Sequence, residues 1–511
     1  MPTVLADKFT GNQVNIVQSP GTPTSRNFDA IDHLLIVVPD KIATSVWRKL
    51  PQGNKLKALF RRSKSGVVPA VSSRLPNKRQ TAVHLGKCKP AEETFERLAF
   101  ARRMVGAALN EKAGAVGVWV EGFDDETTRA LVECVVAAAL AASLSLPAFK
   151  SKEAPPALKT LRVLGCAERL DLDRVEAEAA GNNLARWLSA LPANKLDARE
   201  YAALLRELSR QHGWKFKRYG IRELEKMGAG AFLSVAQGNE DDSACMVRLR
   251  YRPDGAGARP ALSLVGKGII FDTGGTNLKP FSSMLDMHID MGGSAVAVGT
   301  LLTISALGLP WPVDCWLAIT ENKIGPRASK SQDVVTAANG KTIQIIHTDA
   351  EGRMALADAL HFAGRDKPGL IIDYATLTGA CMTAVTTRYC GVFSNQADLH
   401  PVLKRSGRLS GERVWPFPIG KEFLSELASE TADIRQCSPN VAGDHILAAT
   451  FLNEFVPADI PWVHVDMSAC MRKGGLAHIP STITGFGVRF TMNLLLDQGL
   501  LTGATGDRAS T

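Results

Sequence analysis

Residues 261–275 read ALSLVGKGIIFDTGG, an almost unbroken apolar run that meets an acid and then two glycines. A run this apolar, interrupted only by Lys267, belongs to a strand covered on both faces, the condition of a parallel strand in an α/β sheet. Asp272 stands where the strand stops, and Gly274 with Gly275 lets the backbone turn sharply around whatever the acid holds. Ligands of such sheets gather at the carboxyl ends of the strands, so Asp272 is aimed at a pocket. Lys267, between Gly266 and Gly268, is costly to bury unless it is paired, neutralised or bound to a metal.

Working outward, strands of the same kind recur as VDCWLAIT (313–320), IQIIHT (343–348), LIIDYATL (370–377) and WVHVDM (462–467), with helical patterns such as 198–211 between them. The expected fold class is therefore α/β, with a larger C-terminal domain over 171–511 built on a mostly parallel central sheet. Ahead of it, HLLIVVP (33–39), GVWV (117–120), LRVLG (161–165) and a helix over 126–143 read as a small N-terminal α/β domain over 1–170, with 1–30 an extended lead-in. A helical segment from Asp171 to about Leu191 carries the chain onward.

Composition narrows the class. At 45% hydrophobic and 22% charged over 511 residues, disordered and fibrous chains are excluded, and 6% aromatics with 44 glycines suit an aliphatic α/β core better than an all-β sandwich. Nine scattered cysteines, an odd number with no CxxC pair, fit a reducing compartment. The N-terminus lacks a basic start followed by an apolar core, and the apolar stretch 130–146 contains Glu133 and stops at Pro147, short of a membrane span; a soluble, cytoplasmic protein with no membrane partner is expected. Residues 1–150 hold 21 basic against 13 acidic residues (+8 of the total +9), and 41–90 hold thirteen basic residues, Lys55, Lys57, Arg61, Arg62 and Lys64 among them, with no acid. Such a run attracts polyanions. With only Trp47 and Phe60 to stack on bases, it reads as a solvated basic face rather than a sequence-reading nucleic-acid module.

Chemistry collects in two clusters. Asp286, His288 and Asp290 precede Met291-Gly292-Gly293, and Lys279 precedes Pro280; farther on, Asp349, Glu351 and Arg353 alternate within HTDAEGRMALADAL, which on an extended segment turns all three to one side. Each acid alone would serve as a turn or cap residue, Lys279 as a surface charge, and His288 or His347 as a hydrogen-bonding neighbour. Together, Asp272, Asp290, Asp349 and Glu351 with two lysines and an arginine form no plain core, and divalent cations are the natural compensation for such oxygen-rich sites. GKG lacks the spacing of a phosphate loop and DTGG that of a dinucleotide fold. Asp272-Thr273-Gly274 matches the tripeptide of aspartic proteases, but the second acid such a dyad needs has no DTG or DSG to supply it.

VGKGIIFDTGGTNLKP (265–280), Asp290-Met291-Gly292-Gly293 and HTDAEGRMALADAL (347–360) resemble the cytosolic leucine aminopeptidases, exopeptidases with a dinuclear metal site; TDAEGR is highly specific to them. The similarity runs on through DYATLTGA (373–380), ERVWPFP (412–418) and DHILAATFL (444–452), and covers most of 170–490. The resemblance implies two divalent cations per subunit, zinc or manganese first, with magnesium or cobalt also suited. Asp272 and Glu351 would bridge them, Asp349 would complete one, and Lys267 with Asp290 the other. Lys279 would polarise the scissile carbonyl, Arg353 would hold a bicarbonate acting as general base, and Met287, Thr376 and Gly379 would shape an apolar pocket. The implied activity removes the first residue, leucine or another apolar one, from short peptides with a free N-terminus, in a homohexamer. His347 replaces the family's usual Asn, Met354 its usual Leu, and Thr276 and Asn277 vary the glycine-to-lysine segment; none of these is an implied ligand. DMSACM (466–471) departs from the family's commoner small-residue string near the specificity pocket, so it bears on the preference for leucine. The rival reading is a basic nucleic-acid-binding or scaffold protein with a secondary hydrolase site.

Overall fold

The computed structural model describes residues 9, 14–63, 66–111, 113–151, 158–440 and 442–501. Lys64 of the basic run, and 1–8 and 10–13 of the lead-in, lie outside the described residues. Two compact units result, one drawn from Thr10–Asn183 and Lys473–Thr482, the other from Met1–Phe9, Leu184–Arg472 and Ile483–Thr511. The chain passes from one to the other within the helix Asp173–Ser189.

In the first unit, strands β1 (Asn15–Ser19), β2 (His33–Pro39), β3 (Val71–Arg74), β4 (Ala82–Cys88), β5 (Ala115–Val120) and β6 (Thr160–Leu164) form one sheet in the order β1-β6-β5-β2-β4-β3. Every pairing is parallel except the edge pair β3–β4. HLLIVVP is buried along its whole length, as expected for a central parallel strand. The helix Asp125–Ala142 starts where the Asp124 carboxylate accepts the Thr127 N–H at 2.7 Å. Within the stretch read as a lead-in, Asn15–Ser19 pairs with β6 as an edge strand and Ser25–Asp29 is a short helix.

The second unit holds β7 (Lys215–Gly220), β8 (Cys245–Tyr251), β9 (Leu262–Asp272), β10 (Val313–Asn322), β11 (Val334–Thr336), β12 (Thr342–Gln344), β13 (Leu370–Ala375), β14 (Cys390–Ser394), β15 (Val414–Pro416), β16 (Ile434–Arg435) and β17 (Trp462–Asp466). Its main sheet runs β15-β14-β17-β13-β9-β10-β8-β7. The centre, β17-β13-β9-β10, is parallel; β14 pairs antiparallel with β17, and β8 and β7 extend the other side antiparallel. The sheet is thus mixed at its flanks and parallel where the apolar runs lie.

One expected strand is displaced. IQIIHT supplies only the end of β12, which belongs to a separate three-stranded sheet with β11 and β16. Its last residues turn instead of extending, and Glu351 opens the helix Glu351–Arg365. The alternation expected for Asp349, Glu351 and Arg353 on an extended segment therefore does not exist; a turn and the first helical turn take its place. The helix Gly292–Ala306, with the 3-10 turn before it, is the one stretch among the described residues long and apolar enough to cross a membrane, at mean hydropathy 1.4, and 83% of its apolar window lies buried as a core helix does.

Candidate metal centre

Lys267 and Asp272 both belong to β9, five positions apart. On a regular strand an odd spacing puts side chains on opposite faces. Here the register against β10 slips by one residue: Thr320 faces Ile269, but Asn322 faces Asp272 rather than Phe271. A bulge of this kind re-aims everything beyond it. Lys267 and Asp272 are both buried, and Asp290, Glu351 and the Lys279 ammonium are brought to them.

Close backbone approach brings the other acids in. A Cβ on Gly293 would lie 2.1 Å from Tyr374 O, and one on Gly266 2.4 Å from Ser294 Cα, so only glycine allows the start of the helix Gly292–Ala306 to rest on β9 and β13. That contact places Asp290, in the 3-10 turn Met287–Met291, over Lys267. Gly352 does the same for the helix Glu351–Arg365, where a Cβ would stand 2.6 Å from the Lys267 Cε and Nζ.

In the resulting cage, ligand oxygens of Asp272, Asp290 and Glu351 lie within 4.8 Å of one another, all buried. Lys267 Nζ is 2.8 Å from Asp290 Oδ2 and 3.0 Å from Glu351 Oε1, and it donates to Thr376 O at 3.0 Å. Lys279 Nζ is 2.9 Å from Asp272 Oδ2 and pairs with Asp349 Oδ1. The expected set thus converges: Lys267, Asp272, Lys279, Asp290, Asp349 and Glu351 share one space. Arg353 lies two residues beyond Glu351 in the same helix and is bound by Asp444, its Nη2 donating to Oδ1 at 2.9 Å and Oδ2 at 2.8 Å. Thr376 Oγ1 donates to Asp290 Oδ1 at 2.7 Å, Met287 is half-buried in the turn that carries Asp290, and Gly379 is exposed at the start of the helix Gly379–Val385.

The electrostatics show a cage short of positive charge. Burial, and after it the charge of Asp272, pushes the carboxyls of Asp349 and Glu351 above the usual carboxylate range; burial raises Asp290 too, against Lys267. Burial also works against the charge on Lys267 and Lys279, yet the acids facing them overcome it and hold both above the ordinary lysine range. Asp290 Oδ2 and Asp349 Oδ1, though beside lysines, are buried without a well-formed hydrogen bond. Four carboxylates against two ammonium groups, with hard oxygen donors aimed inward, fit divalent cations.

Sequence reading missed Asn322. Its Nδ2 donates to Asp272 Oδ1 at 2.8 Å, Glu351 Oε2 at 3.2 Å and Thr348 O at 3.1 Å, tying the two principal acids together. The available signal was positional: it ends the strand beside β9, at the level of Asp272. Asp444 was missed as well, since nothing in DHILAATFL marks it as a partner of Arg353.

Residues 183–492, more than half of the chain, match the profile described as "Cytosol aminopeptidase family, catalytic domain". The chain belongs to the cytosol aminopeptidase family. Among its curated relatives, a probable cytosol aminopeptidase of Synechococcus sp. (strain WH7803) is 39% identical over 377 residues, 72% of this chain and 76% of that protein. One of Geobacter sp. (strain M21) is 36% identical over 430 residues, 83% of this chain and 86% of its own. Among solved structures, the leucyl aminopeptidase of Leishmania major in complex with actinonin superposes with a TM-score of 0.80 at 23% identity, covering 96% of each chain, a likeness of fold. The bottromycin maturation enzyme BotP in complex with Mn superposes at 0.77 with 29% identity, covering 91% of this chain and 99% of that one. As a member of the cytosol aminopeptidase family the chain is a metal-dependent aminopeptidase, a hydrolase of the exopeptidase class.

Proposed function

We propose that the cage holds two divalent cations, zinc or manganese with magnesium or cobalt as substitutes, and that the enzyme removes leucine or another apolar first residue from short peptides with a free N-terminus. Asp272 and Glu351 would bridge the pair, Asp349 would complete one cation's shell, and Lys267 with Asp290 the other's. Paired cations lower the pKa of a shared water and offset the charge of the oxyanion that forms. Everything else falls to the chain's own residues. Lys279, kept protonated by Asp272, presents its ammonium to the scissile carbonyl. Lys267 must be neutral to act as a ligand, which follows once cations rather than protons occupy the acids that now hold its charge. The Thr376 hydroxyl is spent on Asp290, leaving its methyl for the first-residue pocket that Met287 and Gly379 would also shape, and at Gly379 a Cβ would meet no atom within 4 Å.

The resemblance places bicarbonate on Arg353. Asp444 takes Nη2 and Gln436 O accepts from Nη1 at 3.3 Å, while the buried Nε–H has no hydrogen-bond partner. A cytoplasmic setting follows the naming of the relatives as cytosol aminopeptidases. A homohexamer is supported by Leu278, Phe281 and Leu285, large apolar side chains exposed on one short segment next to Lys279.

The observation that carries this reading is the convergence of the buried Asp272, Asp290 and Glu351 oxygens within 4.8 Å. A panel of aminoacyl substrates, assayed on chelator-stripped enzyme reloaded with each metal in turn, tests it. Activity should vanish on stripping, return with zinc or manganese, favour apolar first residues and fail on N-acetylated peptides. Full activity without metal, or equal cleavage of acetylated peptides, would overturn it.

A further inference from the structure

The helix Asp444–Asn453 carries Thr450 and Asn453 three positions apart, so both sit on one face of its last turns. Thr450 is 4% exposed, and its buried hydroxyl has no hydrogen-bond partner among the described residues. A helical threonine can return its hydroxyl to the carbonyl four residues back. Thr303, Thr383 and Thr491 do so, on Gly299 O, Gly379 O and Gly487 O. A buried hydroxyl left unused is costly, and the Thr450 hydroxyl is unused at the wall of a cavity.

That cavity encloses about 360 Å³. His400, at the start of the helix His400–Ser410, lines it too, and its buried Nε2 is likewise without a partner. The 3-10 turn Lys421–Leu427 adds Lys421 and Leu424, which eclipse one another at three residues per turn. Ile419 extends the aliphatic wall that Leu424 begins. Lys421 is exposed and forms no ion pair among the described residues, whereas Glu454, on the same wall, is neutralised by Lys341.

The cavity stands apart from the metal cage. Its Ser394 and Asn395 lie at the end of β14, which runs antiparallel to β17, so Asn395 meets the start of β17 and accepts the Trp462 N–H at 2.9 Å. Trp462 in turn faces Ile371 of the parallel β13, five residues before the Thr376 that bonds Asp290. At about 3.3 Å per residue, roughly 16 Å of strand separates this level from the carboxyl ends where the cage acids gather.

We propose that the cavity is a second ligand site, which takes a small aliphatic carboxylate. The Thr450 hydroxyl and the Nε2–H tautomer of His400 donate to its oxygens, Lys421 supplies the opposite charge, and Ile419 and Leu424 cover its hydrocarbon chain. A free amino acid and the carboxyl end of a short peptide both present this chemistry. The site is independent of the aminopeptidase reading, because no acid or lysine of the cage lines it.

The test reads NMR saturation transfer from the full-length protein to 4-methylpentanoate, with 4-methylpentanamide and acetate as probes that lack the charge and the body respectively. 4-Methylpentanoate should bind saturably, and both controls about 10-fold more weakly or worse. Thr450→Val should weaken binding about 10-fold and Lys421→Ala about 2- to 5-fold, while kcat and KM for an aminoacyl substrate stay at wild-type values in both. Because a hydroxyl without a partner adds no stability, Thr450→Val should melt no lower than wild type. L-Leucine and N-acetylalanylleucine, added as competitors, separate the two sources: displacement by the first marks an amino-acid site, and by the second a peptide-end site. No saturable binding, displacement by neither competitor, equal binding of the amide, undiminished binding in both variants, or a lower melting temperature for Thr450→Val would each overturn the proposal.

Discussion

The least conspicuous residue of the site is Asn322, which is neutral and yet holds Asp272 and Glu351 in fixed positions through one amide group. A neutral donor orders the acids without offering a positive charge that would compete with a cation. Asn322→Ala should leave the fold intact and weaken metal binding about 10- to 100-fold, the usual effect of losing a partner of the ligands, measured by competition with a chelator. Unchanged affinity would show that the acids hold themselves in place. A second buried pair makes a pH prediction. His464 and Asp373, both fully buried, meet at 2.6 Å, and Trp462 Nε1 donates to the other Asp373 oxygen at 2.7 Å. Burial favours neutral His464, but the Asp373 charge and hydrogen bond outweigh it and raise the imidazole above its ordinary value of 6.5. A raised folded pKa means that the stabilisation is complete below pH 6.5 and is lost as pH climbs through the raised value. Between pH 6 and 9 the melting temperature of wild type should therefore fall more steeply than that of Asp373→Asn; coincident slopes would show His464 uncharged in the fold.

At the scale of elements, the glycines separate packing from chemistry. A Cβ on Gly293 would strike the main chain at Tyr374, which has nowhere to go, so Gly293→Ala should cost roughly 1–3 kcal/mol or more as overpacking, seen as a lower melting temperature. A Cβ on Gly352 would strike the flexible tip of Lys267 instead. Gly352→Ala should therefore melt no lower than wild type, since alanine favours a helix by about 1 kcal/mol over glycine, but should bind metal more weakly because Lys267 is pushed aside. A loss of stability without loss of metal affinity would contradict that account. The same elements show what could be read in advance. Apolar parallel strands announce themselves by composition alone, and β2, β9, β10, β13 and β17 lie where the apolar runs put them. IQIIHT failed because a short apolar run looks alike in any sheet, and nothing local says that β12 joins a small separate one. The acids were legible as a group, and their convergence was expected, because like charge at strand ends demands compensation and the family resemblance gives them one site. The means of convergence was not legible, because it depends on a bulge in β9 and on a turn before Glu351, both set by tertiary packing. Asp444 escaped for a similar reason: its meaning comes from a partner 91 positions away.

For the whole molecule, the outstanding feature is a net charge of +9 carried almost entirely by its first 150 residues. Part of the basic run is neutralised within its own unit, by Lys49 with Glu121 at 2.7 Å, Arg74 with Glu111 at 3.1 Å and Arg79 with Asp32 at 2.8 Å. Among the described residues, Lys55, Lys57, Arg61 and Arg62, on the helix Gly53–Phe60 and just beyond it, form no ion pair, and all but Lys57 are exposed. Four unpaired cations on one short segment attract phosphates but contain nothing that reads bases. Weak binding to any DNA duplex at low salt is expected, with log K falling against log salt at a slope of about −3 to −4, as for three or four neutralised phosphates. A Lys55→Glu, Arg61→Glu, Arg62→Glu variant should lose that binding while its aminopeptidase kcat stays at the wild-type level. Titrations of specific-looking and scrambled duplexes at two salt concentrations decide the matter. Equal affinities that collapse together with salt make the basic face a general polyanion attractor, whereas a preference that survives moderate salt would give this aminopeptidase a second, nucleic-acid-directed role and restore the rival reading of its N-terminal half.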